Sequence, residues 1–184
     1  MSLEKKIAIL ATNGFEESEL FSPKEAIENQ GWSVDIVSLN EGTITSWKDG
    51  NWGATLKVDK TVDEVKAEDY NALVLPGGVM NPDTLRTNED ALIFTRDFFS
   101  QHKIVAAICH APSLLISAGV VEGRTLTSYK SIKDDLVNAG ANWVDKEVVV
   151  DEGFVTSRNP GDLESFNAKI VEEVKEGKHE EQHA

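Results

Sequence analysis

The chain has 184 residues, a formal net charge of −14 and a single cysteine, and these values narrow the classes of protein it can belong to. A chain of this length with 40% hydrophobic residues is long enough for one well-buried domain, whereas its acidic excess disfavours nucleic acid and anionic membranes as partners. One cysteine cannot form an internal disulfide, and no apolar run is long enough for a signal peptide or a membrane span. We therefore expect a cytoplasmic protein whose thiol stays reduced.

Apolar runs of strand length alternate with helical segments along the chain. In chain order, the sequence predicts a strand at 7–11, a helix from Glu17 to Gln30, a strand at 33–39, a hairpin of 43–47 and 54–58, a strand at 72–75, a helix capped by Asn88 and reaching 101, a strand at 104–108, helices at 112–118 and 130–138, a hairpin of 148–150 and 154–157, and a C-terminal helix from Gly161. This alternation predicts an α/β fold with a largely parallel sheet that helices cover on both faces.

We expect one domain over residues 1–174, followed by a charged, flexible tail at 175–184. The tail contains His179 and His183, which are potential metal ligands. A frayed terminus is the favoured interpretation, so the sequence predicts no metal site.

The single cysteine stands where a predicted strand meets a predicted helix. Residues 104–108 are apolar, Cys109 and His110 follow, and Pro112 begins the next helix. Alanines two positions either side of the cysteine give the spacing of a nucleophile elbow, with alanine in place of glycine. A thiol at such a turn lies near the positive end of a helix dipole, which favours the thiolate. The alternative interpretation is a structural cysteine that packs as a small hydrophobic residue.

Acidic residues are expected at the same edge of the sheet, because sites in parallel sheets form beyond the carboxyl ends of the strands. The loop after Ala11 leads to Glu16 and Glu19, which share one face of a helix start, whereas Glu17 points elsewhere. A protonated carboxyl group beside a thiolate could act as a proton shuttle. The alternative is that all three are first-turn acids, which the helix dipole favours.

A third loop, Pro76-Gly77-Gly78, follows the strand that ends at Leu75 and lets backbone N–H groups approach a reacting atom closely. One glycine N–H and the N–H of His110 would then form an oxyanion hole.

We expect the His110 side chain to point away from the thiol, because the two residues are adjacent, and to be oriented by a carboxylate elsewhere. Asp83 is the candidate for that carboxylate.

Seven segments between Ile7 and Val174 carry a resemblance to a known family: NGFEESE (13–19), LVLPGG (73–78), AICHAP (107–112), TSY (127–129), KDD (133–135), NAGA (138–141) and TSR (156–158). In this order they resemble the ThiJ/PfpI family of the class I glutamine-amidotransferase-like superfamily, and most closely its PfpI-like branch of intracellular cysteine peptidases. The resemblance implies a flavodoxin-like three-layer sandwich in which Cys109 is the nucleophile. It places Glu19 at the family's cysteine-bonding glutamate, His110 at the family's histidine, and Gly78 with His110 at the oxyanion donors.

The resemblance also implies a pocket and an assembly. Tyr129 matches a tyrosine that lines the family's pocket, and Glu16 is expected there as well. In peptidase members an acid from a neighbouring subunit completes a triad; Asp83 takes that position here, where those members carry Glu. Family members are dimers or hexamers, so we expect this chain to associate with itself.

The residues and the resemblance together predict a cysteine-dependent hydrolase of the stress-response type that needs no cofactor. It is either an intracellular peptidase or a protein deglycase with glyoxalase activity on glyoxal and methylglyoxal adducts, so its substrate is a protein, a peptide or a small aldehyde. The alternative is a redox-sensing or chaperone-like stress protein in which Cys109 is oxidised without significant turnover. A glutamine amidotransferase is disfavoured because the chain lacks a late His-x-Glu pair outside the tail. A flavodoxin is disfavoured because the acids after the first strand would repel a phosphate.

Overall fold

The computed structural model describes residues 4–182, which contain twelve strands and six α-helices. The strands are β1 (Lys6–Leu10), β2 (Phe15–Glu16), β3 (Ser33–Ser38), β4 (Thr43–Lys48), β5 (Asn51–Lys57), β6 (Lys60–Thr61), β7 (Ala72–Leu75), β8 (Ile104–Ile108), β9 (Thr125–Leu126), β10 (Asn142–Trp143), β11 (Val148–Asp151) and β12 (Phe154–Ser157). The helices are α1 (Glu17–Glu28), α2 (Met80–Leu85), α3 (Glu89–Ser100), α4 (Pro112–Ala118), α5 (Lys133–Asn138) and α6 (Leu163–Glu176). None of these helices combines the length and apolar character needed to cross a membrane.

Seven strands form one central sheet in the order β11-β12-β8-β7-β1-β3-β6. All neighbouring pairs are parallel except the β11–β12 hairpin at one edge. The hairpin of β4 and β5 stands outside this sheet and pairs with the short β2. Since β1, β7 and β8 are adjacent and parallel, the loops after Leu10, Leu75 and Ile108 meet at the same edge of the sheet.

Helices cover both faces of the sheet, and side chains alternate between the two faces along each central strand. On β1, Ala8 and Leu10 pack in the cluster that contains the apolar side of α3 and α4. Ile7 and Ile9 belong to the opposite cluster, with residues of α1 and α6. The predicted α/β sandwich with a mainly parallel sheet is thus confirmed.

Local sequence signals located most of the regular elements. The structure confirms both predicted hairpins, and β8 and α4 have the predicted bounds. Helix α2 was missed because its Asn81-Pro82 pair is typical of a turn; Pro82 is tolerated because N–H groups in a first helical turn need no intrahelical partner. The predicted helix at 130–138 is divided into a 3-10 turn at Lys130–Ile132 and α5.

The segment after α6 packs against the domain as far as the structure describes it. Helix α6 itself reaches Glu176, beyond the expected domain boundary at residue 174. The N–H of His179 donates to the carbonyl oxygen of His102 at 3.0 Å, and Gln182 is fully buried. His179 and Gln182 thus contact the domain, within the segment for which the sequence predicts a flexible tail. His183 lies outside the described residues.

Candidate active site

Cys109 occupies the tight turn between β8 and α4. Its φ of +64° lies in the left-handed region, which a non-glycine residue adopts only where its surroundings impose it. Two backbone hydrogen bonds do so: the Cys109 N–H donates to the Ser157 carbonyl at 3.1 Å, and the Tyr129 N–H donates to the Cys109 carbonyl at 2.8 Å. Pro112 then begins α4, where its missing N–H costs nothing. The turn thus has the geometry of a nucleophile elbow, and its side chain is 6% exposed.

Glu19, in the first turn of α1, is the acid that lies against the thiol. Its side chain is fully buried, and its Oε1 accepts a hydrogen bond from the Gly77 N–H at 3.2 Å. Its carboxyl group also hydrogen-bonds the Cys109 side chain. A Cβ on Gly77 would lie 2.6 Å from Glu19 Oε1 and 2.7 Å from Cys109 Cβ, so only glycine lets the acid and the cysteine approach from both sides.

The pKa of Glu19 is the most strongly perturbed among the acids of this loop. Burial raises it to about 8, and repulsion from the nearby Glu16 carboxylate adds to the rise. Hydrogen bonds with Cys109 and Gly77 lower it, but they do not offset the lost hydration of the charged form. Glu19 is therefore a neutral acid that carries a transferable proton at pH 7.

The thiol titrates together with this acid. Burial raises the pKa of Cys109, and a charged Glu19 raises it further, whereas the N–H groups of Gly78 and His110 lower it by hydrogen-bonding the sulfur. Because Glu19 keeps its proton up to about pH 8, its repulsion of a thiolate is absent at neutral pH. Burial alone keeps the raised pKa of Cys109 above neutral, so the free protein holds a thiol beside a carboxylic acid, and not the thiolate that the helix dipole was expected to favour. The two N–H groups stabilise the negative charge on sulfur as the thiol proton leaves.

Gly78 can donate its N–H to this site because of an unusual backbone conformation. Its φ is +81°, and a Cβ there would lie 2.5 Å from the carbonyl oxygen of Gly14. Both features require glycine. The structure thus brings the sequence-predicted oxyanion donors, Gly78 and His110, to the same sulfur atom.

The side chain of His110 does not point away from the thiol as expected. Its Nδ1 lies 3.2 Å from Cys109 Sγ, because the left-handed backbone at Cys109 turns the two adjacent side chains toward each other. On the other side of the ring, Nε2 lies 3.0 Å from Ser131 Oγ. The imidazole stacks on Tyr129 with the ring centroids 4.5 Å apart, and burial lowers the pKa of His110. The histidine is thus neutral at pH 7, and a hydroxyl group orients it where the sequence predicts a carboxylate.

These groups line a pocket of about 410 Å³ at the carboxyl end of the sheet. It contains six residues expected from the sequence, namely Glu16, Glu19, Gly78, Cys109, His110 and Tyr129, together with Gly14, Trp47, Val79, Met80 and Pro160. Trp47, Val79, Met80 and Pro160 were not predicted, since β4, the start of α2 and the loop after β12 reach the pocket only through the tertiary fold.

Asp83 lies outside this pocket. It is exposed on α2, three residues after Met80, and makes no contribution to the lining. Within the described chain it does not orient His110, whose outer nitrogen contacts Ser131. A role for Asp83 across a subunit boundary stays a prediction.

Asn81 is a positioning residue that the sequence analysis missed. It is fully buried, and its Oδ1 accepts a hydrogen bond from the Thr12 N–H at 2.8 Å. Its Nδ2 donates to the carbonyl oxygens of Pro76 and Gly77 at 2.9 and 3.1 Å. One amide thereby joins the loop after β1 to the loop after β7 and fixes the glycine N–H groups relative to Glu19.

Comparison with known proteins gives a consistent result. The profile of the DJ-1/PfpI family matches residues 5–173. Deglycase PfpI of Pyrococcus furiosus is 46% identical over 170 residues, which cover 92% of this chain and 99% of that protein. The putative cysteine protease YraA of Bacillus subtilis is 43% identical over 173 residues, with 94% and 100% covered. The crystal structure of Drosophila melanogaster DJ-1beta has a TM-score of 0.84 at 32% identity and covers 95% of each chain.

The match spans β1 to α6 and includes the loops that carry Glu19, Gly78 and Cys109. The family profile covers most of the chain, and the two relatives above 40% identity match it over nearly their whole length. Together these findings establish the relationship. This chain belongs to the DJ-1/PfpI family.

Proposed function

We propose that this protein is a cysteine-dependent deglycase, which removes adducts of small α-oxoaldehydes from amines and thiols. The observation that carries the proposal is the buried pair of Glu19 and Cys109, in which an acid with a pKa of about 8 hydrogen-bonds the thiol. Both groups belong to the same chain, so the proton transfers of the reaction need no partner subunit. The deglycase relative, which this chain matches almost end to end, supports the same assignment.

The first step is attack of the Cys109 thiolate on the aldehyde carbon, which the adduct presents once its C–N bond breaks and the amine departs. A C–S bond forms, and the carbonyl electron pair moves to oxygen. The N–H groups of Gly78 and His110, which hydrogen-bond the sulfur in the free protein, lie where they can stabilise the developing oxyanion. Glu19 then gives its proton to the oxyanion or to the departing amine and recovers one from water in the later step.

The C–H proton of the attacked carbon then moves to the neighbouring oxo carbon through an enediolate, so the first carbon is oxidised to a thioester while the second is reduced to an alcohol. Water hydrolyses the thioester and restores the thiol. The net reaction adds one water to the adduct and yields a free amine and a 2-hydroxy acid, and the internal redox shift balances it without an external oxidant or reductant.

The small pocket suits this substrate class. Its volume of about 410 Å³ accommodates a three-carbon adduct and part of the side chain that bears it. The apolar side chains of Met80 and Trp47 face the carbon skeleton, while the polar groups converge on the carbonyl.

Peptide hydrolysis is the second candidate, and the contact between His110 Nδ1 and Cys109 Sγ at 3.2 Å favours it. A neutral imidazole at this distance can accept the thiol proton and return it to a leaving amine. The cysteine-protease relative supports this reaction. Under this candidate the protein would be a dimer or hexamer in which Asp83 of one subunit serves the site of another.

The deciding experiment compares purified protein and its Cys109→Ala variant on methylglyoxal, on methylglyoxal-modified amino acids and on fluorogenic peptides. We expect the unmodified protein to release amine and hydroxy acid, and the variant to lose at least about a thousandfold in rate while keeping its fold. Retained turnover in the variant would refute a cysteine mechanism.

An Asp83→Asn variant separates the two chemistries. Loss of peptidase activity alone would show an intersubunit triad, and unchanged deglycase activity is expected because Asp83 does not line the pocket. Oxidation of Cys109 by mild peroxide without turnover of any substrate would favour the redox-sensing alternative.

A further inference from the structure

The junction between α6 and the segment that follows it contains polar groups that the proposed reaction does not use. The segment packs beside His102 and Gly153, which precede β8 and β12, at the amino ends of these strands. Cys109 follows the carboxyl end of β8. The junction therefore lies at the edge of the sheet opposite the candidate active site.

Three metal-ligating side chains converge at this junction. Glu173 and Glu176 are three residues apart on α6 and share one face of the helix. His179 follows after Gly177, which ends the helix with a φ of +96°. One ligand atom from each of the three residues lies within 4.8 Å of the others.

The separations are close to those of a shared cation. Two donor atoms about 2.1 Å from the same ion lie at most about 4.2 Å apart. Glu173 Oε2 and His179 Nε2 are already 2.8 Å apart, and the ligand atom of Glu176 lies within 4.8 Å of the other two. The Glu176 side chain is exposed and can rotate to close the difference.

A second observation at the same place, an unpartnered buried side chain, points to a ligand. Gln182 is fully buried, and neither its Oε1 nor its Nε2 has a hydrogen-bond partner. Its Oε1 lies beside the His179 ring. Both are near Gly153: a Cβ built on that glycine would lie 3.0 Å from Gln182 Oε1 and 2.8 Å from the His179 ring. Glu173 Oε2 and His179 Nε2 are buried without a hydrogen bond of good geometry as well. Unsatisfied polar atoms are rare in protein interiors, and a cluster of them is explained by a bound ion or an ordered water.

We propose that Glu173, Glu176 and His179 bind a divalent transition-metal cation of the zinc type, with the fourth position filled by Gln182 Oε1 or by water. An imidazole nitrogen with two carboxylates is a donor set that Zn²⁺ accepts. The ion would lie between Glu173 Oε2 and His179 Nε2 and neutralise the two carboxylates. It would also give the buried Oε1 of Gln182 a partner.

The site would clamp the C-terminal segment onto the domain. His179 donates its backbone N–H to the His102 carbonyl at 3.0 Å, and the His102 ring nitrogen Nδ1 lies 2.5 Å from the Gln182 carbonyl. Metal binding to His179 therefore fixes the segment against the residues that lead into β8. This role is independent of the proposed deglycase function, because no ligand of the site lines the catalytic pocket.

The test is calorimetric titration of tag-free, chelator-treated full-length protein with ZnCl₂. The Cys109→Ala background is used throughout, because a thiolate would bind zinc on its own. We expect one Zn²⁺ per chain. Glu176→Gln is expected to weaken the affinity at least about tenfold, whereas Glu172→Gln, an exposed neighbour on the same helix, leaves the affinity unchanged.

Hydrogen exchange tests whether the bound ion fixes the C-terminal segment to the domain. At a Zn²⁺ concentration that saturates the parent but not Glu176→Gln, exchange of residues 177–182 should slow in the parent and in Glu172→Gln, and much less in Glu176→Gln. Absence of stoichiometric binding in the parent would show that Glu173 and His179 form a plain ion pair. Equal affinity in the parent, Glu176→Gln and His179→Gln would place any zinc elsewhere, and either result overturns the proposal.

Discussion

Glu17 and Glu19 lie two residues apart in the first turn of α1, yet the fold gives them opposite properties. Glu17 faces the β4–β5 hairpin, and its pKa is lowered to about 2 by hydrogen bonds from the Ala54 N–H at 2.9 Å and the Ser46 hydroxyl at 2.6 Å, with Lys48 at 3.1 Å. Glu19 faces the end of the central sheet, and burial raises its pKa to about 8.

The difference arises from the donors that surround each carboxylate. Donors stabilise the charge of Glu17 and fix the hairpin against α1. For Glu19 the Gly77 N–H does not offset the lost hydration, and the acid keeps its proton. The charged Glu17 thus stabilises the fold, and the neutral Glu19 takes part in the proposed reaction, although both lie in the same short segment.

The largest difference between the two acids is expected in the reaction rate when each is replaced by its amide. Glu19→Gln retains the shape and the acceptor for the Gly77 N–H but cannot transfer a proton, so we expect kcat for deglycation to fall at least about a hundredfold. Glu17→Gln should leave kcat nearly unchanged, because Glu17 contacts the hairpin and does not line the catalytic pocket. Steady-state kinetics on a methylglyoxal-modified amine measures both, and equal losses would show that Glu19 acts only as a structural residue.

The two acids should also differ in how they couple stability to pH. An unfolded Glu19 titrates near 4.5 and a folded one near 8, so between these values the folded state binds more protons and this group's contribution to stability is lost as the pH rises. Relative to Glu19→Gln, the unmodified protein should lose up to about 1.4 kcal/mol of unfolding free energy per pH unit across that window.

Glu17 provides the control for this measurement. Its folded pKa is depressed, so its contribution is present above pH 4.5 and is lost only as the pH falls toward 2. Urea unfolding between about pH 5 and about pH 8 should therefore give parallel profiles for the unmodified protein and Glu17→Gln. A parallel profile for Glu19→Gln as well would contradict the raised pKa of Glu19.

The smallest effect is expected at Glu16, which raises the pKa of Glu19 by repulsion. In Glu16→Gln this repulsion is removed, so Glu19 should lose its proton at a lower pH. The alkaline limb of the kcat/KM profile should move down by less than about one pH unit, while Glu17→Gln should leave it in place. An upward movement in Glu16→Gln would show that Glu19 is not the group whose ionisation limits the rate.

The sequence was sufficient for the parts of this site that depend on local pattern. The strand 104–108, Cys109 and Pro112 predicted the elbow because a buried strand, a reactive side chain and a helix start follow one another directly. The spacing of Glu16 and Glu19 separated them from Glu17, and both line the pocket, although Glu16 ends β2 with an extended backbone and is not on the helix as expected.

The features that depend on tertiary contacts escaped prediction. The left-handed backbone of Cys109, imposed by contacts with Ser157 and Tyr129, decides that His110 turns toward the sulfur. Asn81 joins two loops from a helix whose sequence is typical of a turn. The pKa of Glu19 depends on full burial, which the sequence of an acidic loop does not reveal.

The most direct test of the central claim is the protonation of Glu19 itself. The ¹³C chemical shift of its side-chain carboxyl carbon can be followed by NMR from about pH 3 to about pH 10, with Glu19→Gln identifying the signal. We predict a titration midpoint near 8 for Glu19, while Glu17 stays ionised throughout that range because its pKa is about 2. A midpoint for Glu19 near its ordinary value of 4.5 would mean that the acid beside Cys109 is charged at neutral pH, and would contradict its role as the proton carrier.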